Sequence, residues 1–324
     1  MAHEIENIMY LGDVPWHGLG RRVIEAPSVE EAIIAAGLDW EVGLKKLQTT
    51  DTLEEVPALA TFRKTDNRIL GVVGSNYSVL QNKDAFQFFN PFLESKEATL
   101  ETAGSLRNGQ RIWILAKINR PDSVIVKQAD DRVQKYILLS NSHDGSLAVR
   151  VGYTPIRVVC NNTLSMAMTN NNSQLIRLKH TGNIVENLND IREVMNAADA
   201  AFEATAEQFR LLASKQFNSK DLEKYIKVVF ATKKQMQEAA SAEDLTSGSR
   251  VMGDIVQLFE SGKGNDLPGV KGTAWAAYNA VTEYLQYKRG NNTENRLNEL
   301  WFGQGATLSK KALEKATEMV LFAA

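Results

Sequence analysis

The chain has 324 residues, 44% of them hydrophobic and 23% charged, with 37 Lys/Arg against 39 Asp/Glu. That composition excludes a disordered chain and leaves room for a sizeable core and about two domains. One cysteine, Cys160, and four histidines exclude a disulfide framework and a cysteine-rich zinc site, and no run of about 18 apolar residues offers a membrane span.

The opening MAHEIENIMYLGDVPWHGLG is acidic and punctuated by turn residues, unlike a signal peptide. A cytoplasmic product with no membrane contact is expected. Pro15-Trp16-His17-Gly18-Leu19-Gly20 reads as a turn or extended loop, where a packed Trp with a satisfied His competes with a ligand loop. Ser28 reads as the N-cap of a helix that Gly37 ends. Ala58–Arg63 and Ile69–Val73 read as strands flanking a hairpin turn at 64–68. Asn82 is expected to cap a helix over Lys83–Phe89, with Pro91 near its end.

The middle of the chain is β-rich. Arg107-Asn108-Gly109-Gln110 is a turn signal between Glu101–Leu106 and Arg111–Ile118, which predicts a hairpin. Val133–Ser140 and Ser146–Val151 read as further strands around a turn at 141–145. Arg157–Cys160 reads as strand or helix entry, Asn161–Leu164 as the cap of a short helix through Met168, and the Asn-rich Thr169–Ser173 as a loop. Hairpin, strand, turn, strand and helix in that order predict an α+β fold, an antiparallel β-sheet with packed helices.

Beyond Asn183 the pattern becomes helical. Ile184, Leu188, Ile191, Met195, Ala198, Phe202, Thr205, Phe209 and Leu212 form a heptad-like stripe on one long helix. It packs within a bundle or against another subunit. Helices follow at 219–240, capped by Ser219, and at 249–261. A flexible connector is expected at 262–269, then helices at 273–288, 293–301 and 309–322. The expected organisation is an α+β domain over 1–180 and a helical C-terminal domain over 181–324.

Charge is unevenly placed. Residues 1–102 hold 9 Lys/Arg and 16 Asp/Glu, whereas residues 103–180 hold 11 and 4. A basic centre in a mildly acidic chain fits a polyanion groove, or a set of partners for the acidic N-terminal third. Arg107, Arg111, Lys117, Lys135, Arg150 and Arg157 lie in the strand regions, with Tyr153, Asn161 and Asn162 beside them. Cations to hold phosphates, an aromatic to stack and amides to bond bases or sugars suit single-stranded nucleic acid. The plainer reading is the solvated face of an antiparallel sheet.

Other chemistries find less support. Gly262-Lys263 lacks the remaining residues of a Walker loop, and no GxGxxG follows a strand. Cys160 with His143 and Asp144 has the residue types of a thiol hydrolase, but a lone cysteine in an apolar strand is usually a small core residue. His3, His17, His143 and His180 form no helical pair for a metal. No cofactor and no catalytic residues are expected.

Several segments together resemble a known family over nearly the whole chain. They are MAHEIE, Pro-Trp-His-Gly-Leu-Gly at 15–20, Ala-Gly-Leu-Asp-Trp at 36–40 and Asn-Tyr-Ser-Val-Leu-Gln at 76–81. With them stand Ser-His-Asp-Gly-Ser at 142–146, Ile-Arg-Val-Val-Cys-Asn-Asn-Thr-Leu at 156–164 and Leu-Trp-Phe-Gly-Gln-Gly at 300–305. The family is the phage/plasmid-like protein group, whose function is unknown. The resemblance implies a mobile-element setting and carries over no catalytic residue. By analogy of element order and setting, the chain is also similar to phage single-strand annealing proteins. The expectation is a non-enzymatic protein that binds single-stranded DNA in recombination or replication, as a homo-oligomer through its helical region. The alternative is a structural or regulatory protein that binds a host or phage protein.

Overall fold

The computed structural model describes residues 5–12, 20–157, 159, 162–163, 175–190, 194–239, 241, 244–245, 247–290, 296, 299–300 and 303–322. It is an α+β protein with antiparallel sheets and a helical C-terminal region. The chain forms two compact units, each drawn from three stretches. Unit 1 takes Met1–Arg120, Tyr136–Tyr153 and Asn172–Ala198, and unit 2 takes Pro121–Lys135, Thr154–Asn171 and Asp199–Ala324. Strands β9 (Asp131–Ser142) and β10 (Val149–Arg157) give residues to both.

In unit 1, β1 (Ile5–Leu11), β2 (Arg21–Val23), β6 (Ala98–Leu106), β7 (Arg111–Ile118) and β12 (Leu175–Leu178) join parts of β9 and β10. The strands run β12-β10-β9-β7-β6-β1-β2. The expected hairpin is present, with Leu106 opposite Arg111 and Gly104 opposite Trp113. Its turn places Arg107 and Asn108 at φ 53 and 55, left-handed values that non-glycine residues rarely hold. Nearly every β7 residue is buried, as a central strand covered on both faces requires.

A second sheet in unit 1 runs β3-β4-β5, from β3 (Val42–Gln48), β4 (Glu55–Arg63) and β5 (Ile69–Gly74). The β4–β5 hairpin matches its expectation; β3 carries no apolar alternation and was not foreseen. It is an edge strand bearing Lys45 and Lys46, a common protection of an open edge. Helix α1 (Val29–Ala35) has the expected Ser28 cap, completed as a capping box by Glu31.

Helix α2 (Asn82–Gln87) corrects the expected cap. Gln81 is the N-cap residue, and its side chain is occupied elsewhere, on the N–H and C=O of Val42 at 2.9 Å each. Asn82 is the first helical residue, and its amide turns inward. Pro91 stands near the start of a separate short helix, α3 (Asn90–Glu94), where its missing N–H costs nothing.

In unit 2, β8 (Ser123–Val126) pairs with the start of β9. The two-residue β11 (Asn162–Thr163) pairs with Ile156 and Arg157. Asn162 and Thr163 are thus in a strand; residues 164–174, where the short helix is expected, lie outside the described residues. The stripe beyond Asn183 runs over α4 (Ile184–Asp190) and α5 (Val194–Ala213), with residues 191–193 between them outside the described residues; α4 and α5 as far as Ala198 belong to unit 1. Phe202, Thr205, Phe209 and Leu212 are buried inside the chain, and Phe209 meets Trp275 at 4.7 Å between ring centroids.

The expected 219–240 helix is two: α6 (Ser219–Phe230), capped by Asn218 and not Ser219, and α7 (Lys233–Glu238), capped by Thr232. Each N-cap side chain accepts backbone N–H bonds, and Ala231, extended at ψ 135°, ends the first helix. Helix α8 (Ser249–Ser261) is as expected. The 262–269 segment is a series of turns anchored by fully buried Asn265, whose amide donates to the carbonyls of Leu258 and Ala276. Helix α9 (Ala274–Glu283) is buried all round rather than on one face, and a π-helical turn over Tyr284–Lys288 follows it. Gln304–Phe322 forms the C-terminal helix. No helix among the described residues is long and apolar enough to cross a membrane.

Candidate nucleic-acid interface

The segment between β9 and β10 organises one end of unit 1. Its backbone is pinned at His143: the N–H donates to the Gln110 carbonyl at 2.7 Å, and the carbonyl accepts from the Thr61 hydroxyl at 2.6 Å. Gly71 of β5 lies so close that a Cβ there would sit 2.5 Å from the Asp144 Cα. The His143 ring is fully buried, edge-on to Trp40 at 5.5 Å, with Nε2 2.9 Å from the Asn82 Oδ1. Burial, reinforced by nearby His180 and opposed by Asp144, pushes its pKa down to about 3.

A second histidine steadies the same segment. The His180 ring stacks on Tyr77 at 4.5 Å. Its Nδ1 donates to the Ser78 carbonyl at 3.0 Å, and the Ser78 N–H returns a bond to the His180 carbonyl at 2.7 Å. The Tyr77 hydroxyl donates to the Ser142 carbonyl at 2.8 Å, and burial pushes that phenol above its ordinary range. Ser142 closes the loop by exchanging hydrogen bonds with the Leu147 backbone at 2.9 Å each.

Three arginines gather beside this loop. Arg150 of β10 stands directly opposite Arg177 of β12. Arg111, at the start of β7 and opposite Ser142, donates from Nη2 to the Ser146 hydroxyl at 3.1 Å. Burial, then the like charges of Arg177 and Arg111, lower the Arg150 guanidinium from its usual range. Arg111 is 9% exposed, Arg150 half-buried and Arg177 exposed. Arg107 is half-buried in the hairpin turn, its Nε buried without a hydrogen-bond partner among the described residues.

The remaining expected contacts divide. Lys117 is half-buried beside Glu101, a carboxylate that burial raises and that accepts from the Tyr136 hydroxyl at 2.8 Å. Tyr153 is only 4% exposed, so its ring is core and offers no face to a base. Lys135 and Arg157 belong to unit 2, and their charges are already met. Lys135 pairs with Glu203 at 3.3 Å and lies over Phe202. Arg157, with 0% exposure, grips Asp131 through Nε and Nη2, the latter at 2.7 Å, and reaches Asn265 and the Gly264 carbonyl. A phosphate could reach neither without breaking these pairs. Asn162 lies in β11, and Asn161 lies outside the described residues, as do Cys160 and Trp16-His17-Gly18.

Arg177, Ser146, Tyr77 and His180 were not foreseen. The signal for Arg177 was the apolar-basic run Leu-Ile-Arg-Leu at 175–178, just past the Asn-rich stretch. A separate cleft of about 650 Å³ in unit 1 lies between α1, α3 and β6, lined by Pro27, Glu30, Leu93, Glu94, Lys96 and Asn119 among others. It holds none of the three arginines.

A family described as a domain of unknown function, DUF932, matches residues 69–301. That span takes in the three arginines, Tyr77, His143 and His180. No curated protein and no solved structure matches the chain.

Proposed function

We propose, for a chain that belongs to the DUF932 family of unknown function, that it is a non-enzymatic nucleic-acid-binding protein that holds single-stranded DNA. The observation that carries this reading is the gathering of Arg111, Arg150 and Arg177 at one end of the unit 1 sheet. Like charges set opposite one another destabilise a sheet, and an anion binding among them offsets that cost. Arg107, in the turn of the same hairpin that begins β7 at Arg111, adds a further cation, whereas Lys117 lies at the far end of β7 beside Glu101. The resemblance to phage/plasmid-like proteins suits a role in recombination or replication.

The test is a gel-shift titration with a 40-nucleotide single strand and its duplex, at low and physiological salt. Arg111→Gln with Arg150→Gln should weaken binding and flatten its salt dependence by about one unit of slope for each phosphate no longer held. Unchanged binding by a folded double variant defeats the assignment. A second reading, a protein partner, draws on Ile69 and Val72 of β5, which are 53% and 60% exposed. Binding through those side chains would withstand salt.

A further inference from the structure

We propose that Arg111, Ser146, Arg150 and Arg177 form a site for a dianionic phosphate, such as the phosphorylated end of a nucleic-acid strand. The inference rests on the reading that unit 1 binds single-stranded DNA, and it names the part of the strand that the arginines take.

Charge density decides between an end and the middle of a strand. Phosphodiesters carry one charge each, strung along the backbone. A terminal monoester carries about −1.5 to −2 at pH 7 on three acceptor oxygens. The arginines are not strung out. Arg150 and Arg177 are directly opposed in register, and Arg111 is near enough for its charge to act on Arg150. With Arg111 9% exposed and Arg150 half-buried, an extended backbone passing over the surface meets Arg177 more fully than the other two. A compact, doubly charged group that reaches into the cluster meets all three. A planar guanidinium fork donates in parallel to two of its oxygens at a time.

Ser146 adds the fourth donor. Its hydroxyl oxygen accepts from Arg111 at 3.1 Å, which leaves its proton to donate. Asp144 fixes the turn by accepting from the Ser146 N–H at 2.9 Å, and Gly145 takes the left-handed φ of +72 that the turn requires. The Thr61 and Gln110 bonds to His143 hold the same turn from below.

The experiment compares one internally labelled 20-nucleotide strand with hydroxyl ends, a 5′-phosphate or a 3′-phosphate, by fluorescence anisotropy at physiological salt. A phosphorylated dinucleotide and its hydroxyl counterpart are titrated by calorimetry. A phosphorylated end is expected to bind about tenfold tighter. Arg177→Gln should abolish the preference, and Ser146→Ala should reduce it. Lys179→Gln, an exposed neighbour outside the cluster, should keep it. Equal affinity for hydroxyl and phosphate ends overturns the inference and leaves strand binding standing. If no strand binds, the functional reading fails. The phosphate site then survives only if the phosphorylated dinucleotide binds and Arg177→Gln removes that binding; no dinucleotide binding overturns it too.

Discussion

Asn82 and His143 meet at 2.9 Å, Oδ1 to Nε2, and the meeting fixes which ring nitrogen carries the proton. The Asn82 amide nitrogen donates to the carbonyls of Leu38 at 3.0 Å and Trp40 at 3.3 Å. Its oxygen therefore faces the histidine and accepts, so Nε2 holds the hydrogen. Nδ1 is left as a buried lone pair with no hydrogen-bond partner among the described residues. One amide thus ties the start of α2 to the segment that leads into β3 and to the turn that carries Ser146.

Replacing Asn82 by Ala should be costly well beyond the volume lost. It strands two buried carbonyls and the His143 N–H, at about 1–3 kcal/mol for a buried group left unmet. Urea unfolding, with the slope checked against wild type, measures the loss. Asn82→Asp should be at least as damaging, because it removes the donor to both carbonyls and buries a carboxylate.

His143 should make the fold acid-sensitive. Its folded pKa of about 3 lies below the ordinary 6.5, so the unfolded chain binds the extra proton between those values. Stability is then complete above about pH 6.5 and falls as pH drops towards 3, by up to about 1.4 kcal/mol per pH unit. His180 is lowered by burial too and adds in the same direction. Midpoints of urea unfolding between pH 4 and 7 should show the slope, and His143→Gln should flatten it.

Asp131 should matter chiefly as the buried counter-charge of Arg157. It is fully buried against Arg157 and also accepts from the Trp275 indole at 2.8 Å. Asp131→Asn leaves a buried guanidinium without its counter-charge, a loss of about 3–5 kcal/mol. Thermal unfolding should register it as the most harmful of these single changes. Arg157→Met with Asp131→Leu should recover part of the loss, since a buried pair replaced by apolar groups is often tolerated.

Arg177→Gln should separate stability from binding. Removing one of two opposed like charges relieves strand pairing by about 0.2–1 kcal/mol. The variant should therefore unfold at equal or higher denaturant while its affinity for single-stranded DNA drops. A variant that loses both would mark Arg177 as a packing residue.

Much of the local architecture was written in short-range chemistry. The Ser28 cap with Glu31, the turn at 107–110 and the β4–β5 hairpin all follow from residues within a few positions of one another. What escaped depends on partners far along the chain. Asn82 looks like a cap because its neighbours look like a helix start, yet His143 and Leu38 claim its amide. Arg157 looks like a phosphate ligand because it sits among basic strands, yet Asp131 neutralises it. Tyr153 reads as a stacking residue beside two arginines, but alternation puts it on the opposite side of β10 from Arg150. Of the cationic site, Arg111 and Arg150 were legible as basic strand residues. Arg177 was not, because the four-residue strand holding it follows a polar run that reads as loop.

Every residue of helix α9, from Ala274 to Glu283, is buried, the most exposed being Glu283 at 7%. Its amides are bonded to carbonyls that are themselves enclosed, and its alanines leave no long side chain to reach outward. Proton exchange at such a helix has no local route through fraying, so it must await the opening of unit 2 as a body. The amides of Tyr278–Val281 should therefore be the slowest in that unit to take up deuterium, and their rate should report its global stability. The segment is a built-in gauge: a variant that loosens the packing around Trp275 should quicken those amides before any change in helix content is visible.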